Sequence, residues 1–333
     1  MNNSPVPPID WLRLAAILDG ADRLVLTSHA RPDADALGSA LGLAALLEAR
    51  GKRVTIVNPS AAPENLGFLD PTGRAEVYGR TIDADRVEDC DVHVVLDTSA
   101  WAQLGEVGKT LKRTSAKKVV LDHHVSSDSL DAEEFKDPTA DATGSLVIRF
   151  ADAVGWDLPP EAATPLYAAI ATDTGWFRFP STRPETVEFA ARLMRLGADQ
   201  TEIYRQLYER RSEARMRLVG RALGRIAVSD DGRIAYAVAT RADFTETGAK
   251  QSDTENLVNE CLAIDGVRAA FMAVEQGNGS TKLSLRGREP VDVASVAEKF
   301  GGGGHRLAAG AVVDGPPDKV VPEVAAAMQA AAG

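Results

Sequence analysis

Cysteine is nearly missing from this chain: Cys90 and Cys261 stand far apart among 333 residues. Such spacing gives neither a disulfide framework nor a paired-thiolate zinc site, and it suits a reducing compartment. Long apolar runs are missing too. No segment approaches the ~18 uninterrupted apolar residues that span a bilayer, and the first ten residues lack the basic-then-apolar pattern of an export signal. A soluble, cytoplasmic protein with no membrane partner is expected. The third absence is basic surplus. With 37 Lys and Arg against 48 Asp and Glu, the formal charge of −11 excludes a general basic surface for coating long duplex DNA. Glycine (28) and proline (17) are near ordinary levels, which excludes collagen-like and low-complexity chains. No fixed-period repeat is present.

What remains is 44% apolar, enough to build a core in each of about two domains. Up to residue 125, short β-branched runs at 23–28, 53–58, 92–96 and 118–121 alternate with Ala/Leu-rich helical stretches such as 36–50. Apolar strands separated by helices predict a mainly parallel sheet covered on both faces, a doubly wound α/β domain. From 143 to 223 the strand signal gives way to helical stretches at 144–154, 161–172 and 184–196. Strands return at 225–228, 234–239, 267–274 and 282–285, with helices at 253–262, 291–300 and 320–332, and predict a second, smaller α/β domain. The expected organisation is a first domain over 1–195, a helical connector over 196–220 and a second domain over 221–333. Seven arginines between Arg205 and Arg225 read as a solvated helix face, with a contribution to an anionic cleft as the alternative.

Histidine is also scarce, and its placement is informative: the five are His29, His93, His123, His124 and His305. His29-Ala-Arg-Pro32-Asp33-Ala-Asp35-Ala-Leu-Gly38-Ser39 lies between the first strand and a helix. Asp97 ends the strand at 92–96, and Asp122-His123-His124 ends the strand at 118–121. In an open parallel sheet the carboxyl ends of the strands form the crevice where ligands bind, so three polar clusters arrive at one edge. The first cluster alone also fits a strand-end turn, with Asp33 or Asp35 capping the helix. His93, inside a buried strand pattern, reads as a hydrogen-bonded core residue without a functional role.

Gathering Asp33, Asp35, Asp97 and Asp173 without cations would raise their pKa values and destabilise the fold. Two divalent ions balance four carboxylates, imidazoles complete the coordination, and a bridging carboxylate would hold the ions ~3.5–4 Å apart, as in two-metal hydrolysis. A His/Asp set without thiolate suits Mn2+, with Mg2+ as the alternative.

These motifs, together with Asp173 in Ala-Thr-Asp-Thr-Gly-Trp-Phe, resemble in order those of the DHH-type phosphoesterases. That group includes RecJ-like exonucleases, manganese pyrophosphatases and nanoRNases. Gly301-Gly-Gly-Gly304-His305, followed by Ala308-Ala-Gly310, resembles the hallmark of the DHH-associated C-terminal domain. The resemblance implies one metal on His29, Asp33 and Asp97 and a second on Asp35, the bridging Asp97, His123 and Asp173. It implies that His124 faces the substrate phosphate, that Asp122 orients a neighbouring imidazole, and that a metal-bridging water is the nucleophile. Catalysis would then fall to Asp97, His123, His124 and Asp122.

The glycine run removes every Cβ and would let backbone N–H groups approach an anion in a nest. Gly302, Gly303, Gly304, His305 and the nearby Arg286 would, with His124, grip a terminal phosphate or nucleotide. The chain has no room for the further nucleic-acid-binding domains of long exonucleases. Its layout is similar to the bacterial nanoRNase/pAp-phosphatases, which implies short oligoribonucleotides, pAp and, in some members, pApA or cyclic di-AMP as substrates. Relatives of this kind often form homodimers. The alternatives are a manganese-dependent pyrophosphatase or exopolyphosphatase and a non-catalytic nucleotide-binding module. The stretch 139–145 matches the family only loosely and is left outside the expected site.

Overall fold

The computed structural model describes residues 8–125 and 128–333, and the chain divides into two units, 1–210 and 211–333. In the first unit α1 (Trp11–Asp19) leads into β1 (Arg23–Thr27), α2 (Ala34–Glu48), β2 (Arg53–Asn58) and β3 (Ala75–Val77). Then come α3 (Ala84–Glu88), β4 (Val92–Leu96), α4 (Val107–Arg113), β5 (Lys117–Asp122) and β6 (Glu133–Lys136). Helices α5 (Thr143–Val154), α6 (Ala163–Asp173), α7 (Pro184–Arg195) and α8 (Gln200–Tyr204) follow. The strands form one sheet in the order β3-β2-β1-β4-β5-β6, with every pairing parallel.

This order has a direct consequence for function. After β1 the chain builds outward through β2 and β3; after β4 it builds the other way through β5 and β6. The neighbours β1 and β4 therefore flank the topological switch point, and a crevice opens at their carboxyl ends. The strands are apolar because helices cover both faces: every residue of β4 is buried. Helix α2 is enclosed more completely still, with residues 34–47 all buried, which explains why its sequence is apolar on every side. Gly38 and Gly42 give it close contact with α6. A Cβ at Gly42 would lie 2.5 Å from Leu166 Cδ2, and one at Gly38 would overlap the carbonyl oxygen of Pro165.

The second unit runs through α9 (Glu213–Leu223), β7 (Ala227–Val228), β8 (Ile234–Ala239), α10 (Arg241–Thr247) and α11 (Val258–Leu262). It continues through β9 (Ala269–Glu275), β10 (Thr281–Gly287), α12 (Val293–Lys299), β11 (Gly303–His305), β12 (Ala308–Val313) and α13 (Pro317–Ala332). Its sheet, ordered β11-β12-β10-β9-β8-β7, is antiparallel except where β8 meets β9. Strand alternation divides the core: Phe271 and Ala273 face α12 and α13, whereas Ala270 and Met272 face α9 and α11.

Two sequence expectations change here. The arginines of 205–225 are not simply a solvated face, because Arg221 and Arg225 both pair with the buried Asp243. The glycine run does not form a free nest either: Gly303–His305 is an edge strand paired with β12. Glycine is required there by packing, since a Cβ at Gly302 would lie 2.6 Å from Ala311 Cβ and one at Gly304 would lie 2.6 Å from Ala308 O. Among the described residues no helix is long and apolar enough to cross a membrane.

Candidate metal centre

Each strand that borders the switch point delivers part of the site. Beyond β1, Asp33 caps α2 by accepting hydrogen bonds from Asp35 N and Ala36 N, both at 3.0 Å. The capping alternative is thus realised, and the same carboxylate oxygen still lies 3.8 Å from His29 Nε2. Asp97 follows β4 directly and adopts a left-handed φ of 61°, a conformation Asp tolerates better than most residues. His123 and His124 follow β5. Asp173 is the last residue of α6, after which Gly175, Trp176 and Phe177 all take left-handed φ values of 57° to 63° and turn the chain sharply. Strain of this kind gathers at functional sites.

The side chains converge. His29 Nε2 lies 3.6 Å from Asp97 Oδ2, while His123 Nε2 lies 3.5 Å from Asp97 Oδ1, 3.8 Å from Asp35 and 3.3 Å from Asp173. Ligand atoms of His29, Asp33 and Asp97 fall within 4.8 Å of one another, as do those of Asp35, His123 and Asp173 and those of Asp97, His123 and His124. Both inner imidazoles are oriented by the backbone. Nδ1–H of His29 donates to Ala30 O at 3.0 Å, and Nδ1–H of His123 donates to Ala140 O at 3.3 Å. Each Nε2 is left facing the carboxylates, the nitrogen that a metal would take in place of a proton.

Electrostatics point the same way. Burial, followed by the neighbouring carboxylates, pushes Asp97 well above the usual carboxylate range and Asp173 up to about 9. Asp35 is also raised, chiefly by burial. For His29, burial opposes the charged form, but hydrogen bonds with Asp33 and Asp97 carry it up to about 10. Acidic groups that stay raised even beside His29 have too little positive charge around them, and a divalent cation would supply more. Oxygen and imidazole donors, with no thiolate, fit such an ion.

His124 differs from its neighbour. Its Nδ1 is 2.8 Å from Asp122 Oδ1, and half of the side chain is exposed. Asp122 is fully buried and also accepts from Ser99 Oγ at 2.8 Å and Lys136 Nζ at 3.1 Å. Burial alone would raise its pKa, yet the hydrogen bonds from His124 and Ser99 hold it at about 2.

Residues 23–170 match the DHH family, N-terminal domain, and residues 231–333 match the DHHA1 domain. The chain is 30% identical over 316 residues to the bifunctional oligoribonuclease and PAP phosphatase NrnA of Thermus thermophilus, covering 94% of this chain and 92% of that one. The chain belongs to the DHH family. A second NrnA of the same description, from Bacillus subtilis, is 29% identical and covers 88% of this chain and 90% of its own. Among solved structures, an exopolyphosphatase-related protein of Bacteroides fragilis superposes with a TM-score of 0.89 at 28% identity, covering 96% of this DHH chain and 95% of its own.

Several groups of this DHH protein that touch the centre lie outside the site expected from the sequence, Thr143 and Gly144 among them because the stretch 139–145 is set aside there as a loose match. Thr143 Oγ1 donates to Asp97 Oδ1 at 2.9 Å, and Thr143 N and Gly144 N donate to Asp35 at 2.7 and 2.9 Å. Ser99 and Lys136 were missed as well. Ser99 follows Asp97 closely enough to have signalled proximity, and the loose family match over 139–145 was a signal for Thr143, whereas nothing local marks Lys136. In the second unit Arg286 is half-buried on β10, with its guanidinium donating to Leu285 O at 3.0 Å, and His305 is exposed on β11.

Proposed function

We propose that this protein is a metal-dependent phosphoesterase that hydrolyses short oligoribonucleotides from the 3′ end and small nucleotides such as pAp, with pApA and cyclic di-AMP in the same substrate class. The observation that carries this is Asp97, whose Oδ2 faces His29 at 3.6 Å while its Oδ1 faces His123 at 3.5 Å. One carboxylate thereby serves two clusters. His29, Asp33 and Asp97 would hold one divalent ion, and Asp35, Asp97, His123 and Asp173 the other, with Mn2+ favoured by the imidazoles. When bound, such a pair of cations supplies an activated water and neutralises charge on a phosphoryl group.

The chain's own residues do the rest. Asp122 fixes His124 through Nδ1 and leaves the opposite ring nitrogen available to a phosphoryl oxygen. Catalysis would fall to the domain over 1–195, and substrate grip to that over 221–333, where Arg286, Gly302, Gly303, Gly304 and His305 would hold a phosphate. Short substrates are favoured by the acidic balance of the chain and by the relatives named oligoribonuclease and PAP phosphatase.

The test compares a dinucleotide RNA, pAp, pApA and pyrophosphate with Mn2+ present and after chelation. Mn2+-dependent release of mononucleotide from the dinucleotide and of phosphate from pAp is expected. Hydrolysis of pyrophosphate alone would make the protein a pyrophosphatase, and tight nucleotide binding without turnover would make it a binding module.

A further inference from the structure

Helix α5 starts without a cap of its own. The residue before it is Ala142, which has no side-chain oxygen to offer the first N–H groups. Those groups are nonetheless satisfied, because the two oxygens of the Asp35 carboxylate, 108 and 109 residues earlier in the chain, accept from Thr143 N and Gly144 N. The positive end of a helix of 12 residues therefore faces Asp35 and favours its ionised form. Thr143 does more. Its side chain is fully buried, and its hydroxyl donates to Asp97 rather than to its own helix. Three residues upstream, Ala140 O fixes the ring of His123. The segment 140–144 thus touches Asp35, Asp97 and His123, which arrive from three other elements.

We propose that Thr143 is a positioning residue for the metal centre. Its hydroxyl binds the Asp97 oxygen that faces His123, while its amide binds Asp35, so one residue sets the separation and rotation of two carboxylates that would hold the second ion. A hydroxyl donor on Oδ1 stops the Asp97 carboxylate from rotating, which keeps Oδ2 on the side of His29. The inference rests on the two-cation reading above and deepens it.

Full-length wild type, Thr143→Val and Thr143→Ser are titrated with Mn2+ alone by calorimetry after chelator treatment, and kcat and KM are measured on a dinucleotide RNA. Groups that orient metal ligands typically contribute about 10–100-fold in affinity or activity. Thr143→Val, which keeps the shape and loses the hydroxyl, is expected to weaken Mn2+ binding by roughly that factor and to lower kcat with little change in KM. Thr143→Ser is expected to restore both. Wild-type Mn2+ affinity in Thr143→Val would overturn the proposal, as would a Ser variant as impaired as the Val variant. Should circular dichroism show that Thr143→Val is unfolded, Thr143→Ala takes its place with the same expected losses. Failure of the wild type to bind two Mn2+ ions would instead overturn the two-cation reading, so the two failures are distinguishable.

Discussion

Replacing Gly38 by alanine asks whether helix packing sets the geometry of the metal centre. The new Cβ would sit 3.1 Å from Ala169 Cβ and 3.2 Å from the Pro165 carbonyl carbon, and would overlap the oxygen of that carbonyl. These are backbone and near-backbone atoms of α6, which cannot swing aside. Relieving the overlap takes a separation of α2 from α6 on the order of 1 Å, and overpacking of this kind costs roughly 1–3 kcal/mol. Helix propensity returns up to about 1 kcal/mol when alanine replaces glycine. The net loss of ~1–2 kcal/mol should lower Tm by roughly 2–8 °C in a unit of this size. Activity should fall much further, because Asp35 lies one turn from Gly38 and Asp173 one turn from Ala169. A misplacement of about 1 Å at a catalytic constellation can cost on the order of 100-fold. Thermal unfolding by circular dichroism with chelator, and dinucleotide hydrolysis at saturating Mn2+, read the two effects separately. Gly42→Ala is the control: it meets side-chain atoms of Leu166, Cγ and Cδ2 both at 2.5 Å, rather than backbone, two turns from Asp35, and should destabilise without a comparable loss of turnover. An alanine at 38 that melts and turns over like wild type would refute the idea that α2–α6 contact positions Asp35 and Asp173.

Other outcomes follow from the charges. Asp35 and Asp97 are raised and Asp173 stands at about 9 in the metal-free fold, so folding takes up protons there. Metal-free stability should therefore fall as pH rises from the ordinary carboxylate range of about 4 towards 9, and the Tm increase given by Mn2+ should grow over the same range; an increase independent of pH in differential scanning fluorimetry would contradict this. Asp97→Asn removes the shared carboxylate and a costly buried charge together, so it should lack turnover yet melt higher than wild type at pH 8 in chelator, and a lower Tm would count against the electrostatic account. In the second unit, Asp243 is buried and accepts from Arg221, Arg225 and Thr240, which outweigh burial and hold its pKa below the usual range. Asp243→Asn should cost roughly 1.5–3 kcal/mol at neutral pH, because the half-exposed Arg221 and Arg225 keep their water when the charge is lost, a difference that narrows as acid protonates the wild-type carboxylate and leaves Mn2+ binding unchanged. Denaturant unfolding across pH and calorimetry check both halves of that expectation.

What was legible in the sequence was legible for local reasons. Apolar strands that stop at His29, Asp97 and Asp122 mark carboxyl ends of a parallel sheet, and a parallel sheet collects such ends along one edge. Three of the strands that escaped notice lack that contrast: β3 has three residues, β6 reads Glu-Glu-Phe-Lys, and β11 is two glycines and a histidine. Pairing with an established neighbour, not propensity, makes them strands. Thr143 is set aside with the loosely matching stretch 139–145, since its partners Asp35 and Asp97 lie 108 and 46 residues away and no period or spacing connects them. Asp33 shows why a local signal can also be read two ways. Its carboxylate caps α2 and lies 3.8 Å from His29, so structural and chemical roles occupy one side chain. Asp35 repeats this across the chain by satisfying the N-terminus of α5. Two helix starts thus hold two of the carboxylates at the centre, and the capping bonds favour ionised acids whose burial opposes the charge. A fold arranged in this way opposes its own acidic cluster, which bound cations would relieve, and the same caps that keep the carboxylates in place would hold them ready for such ions.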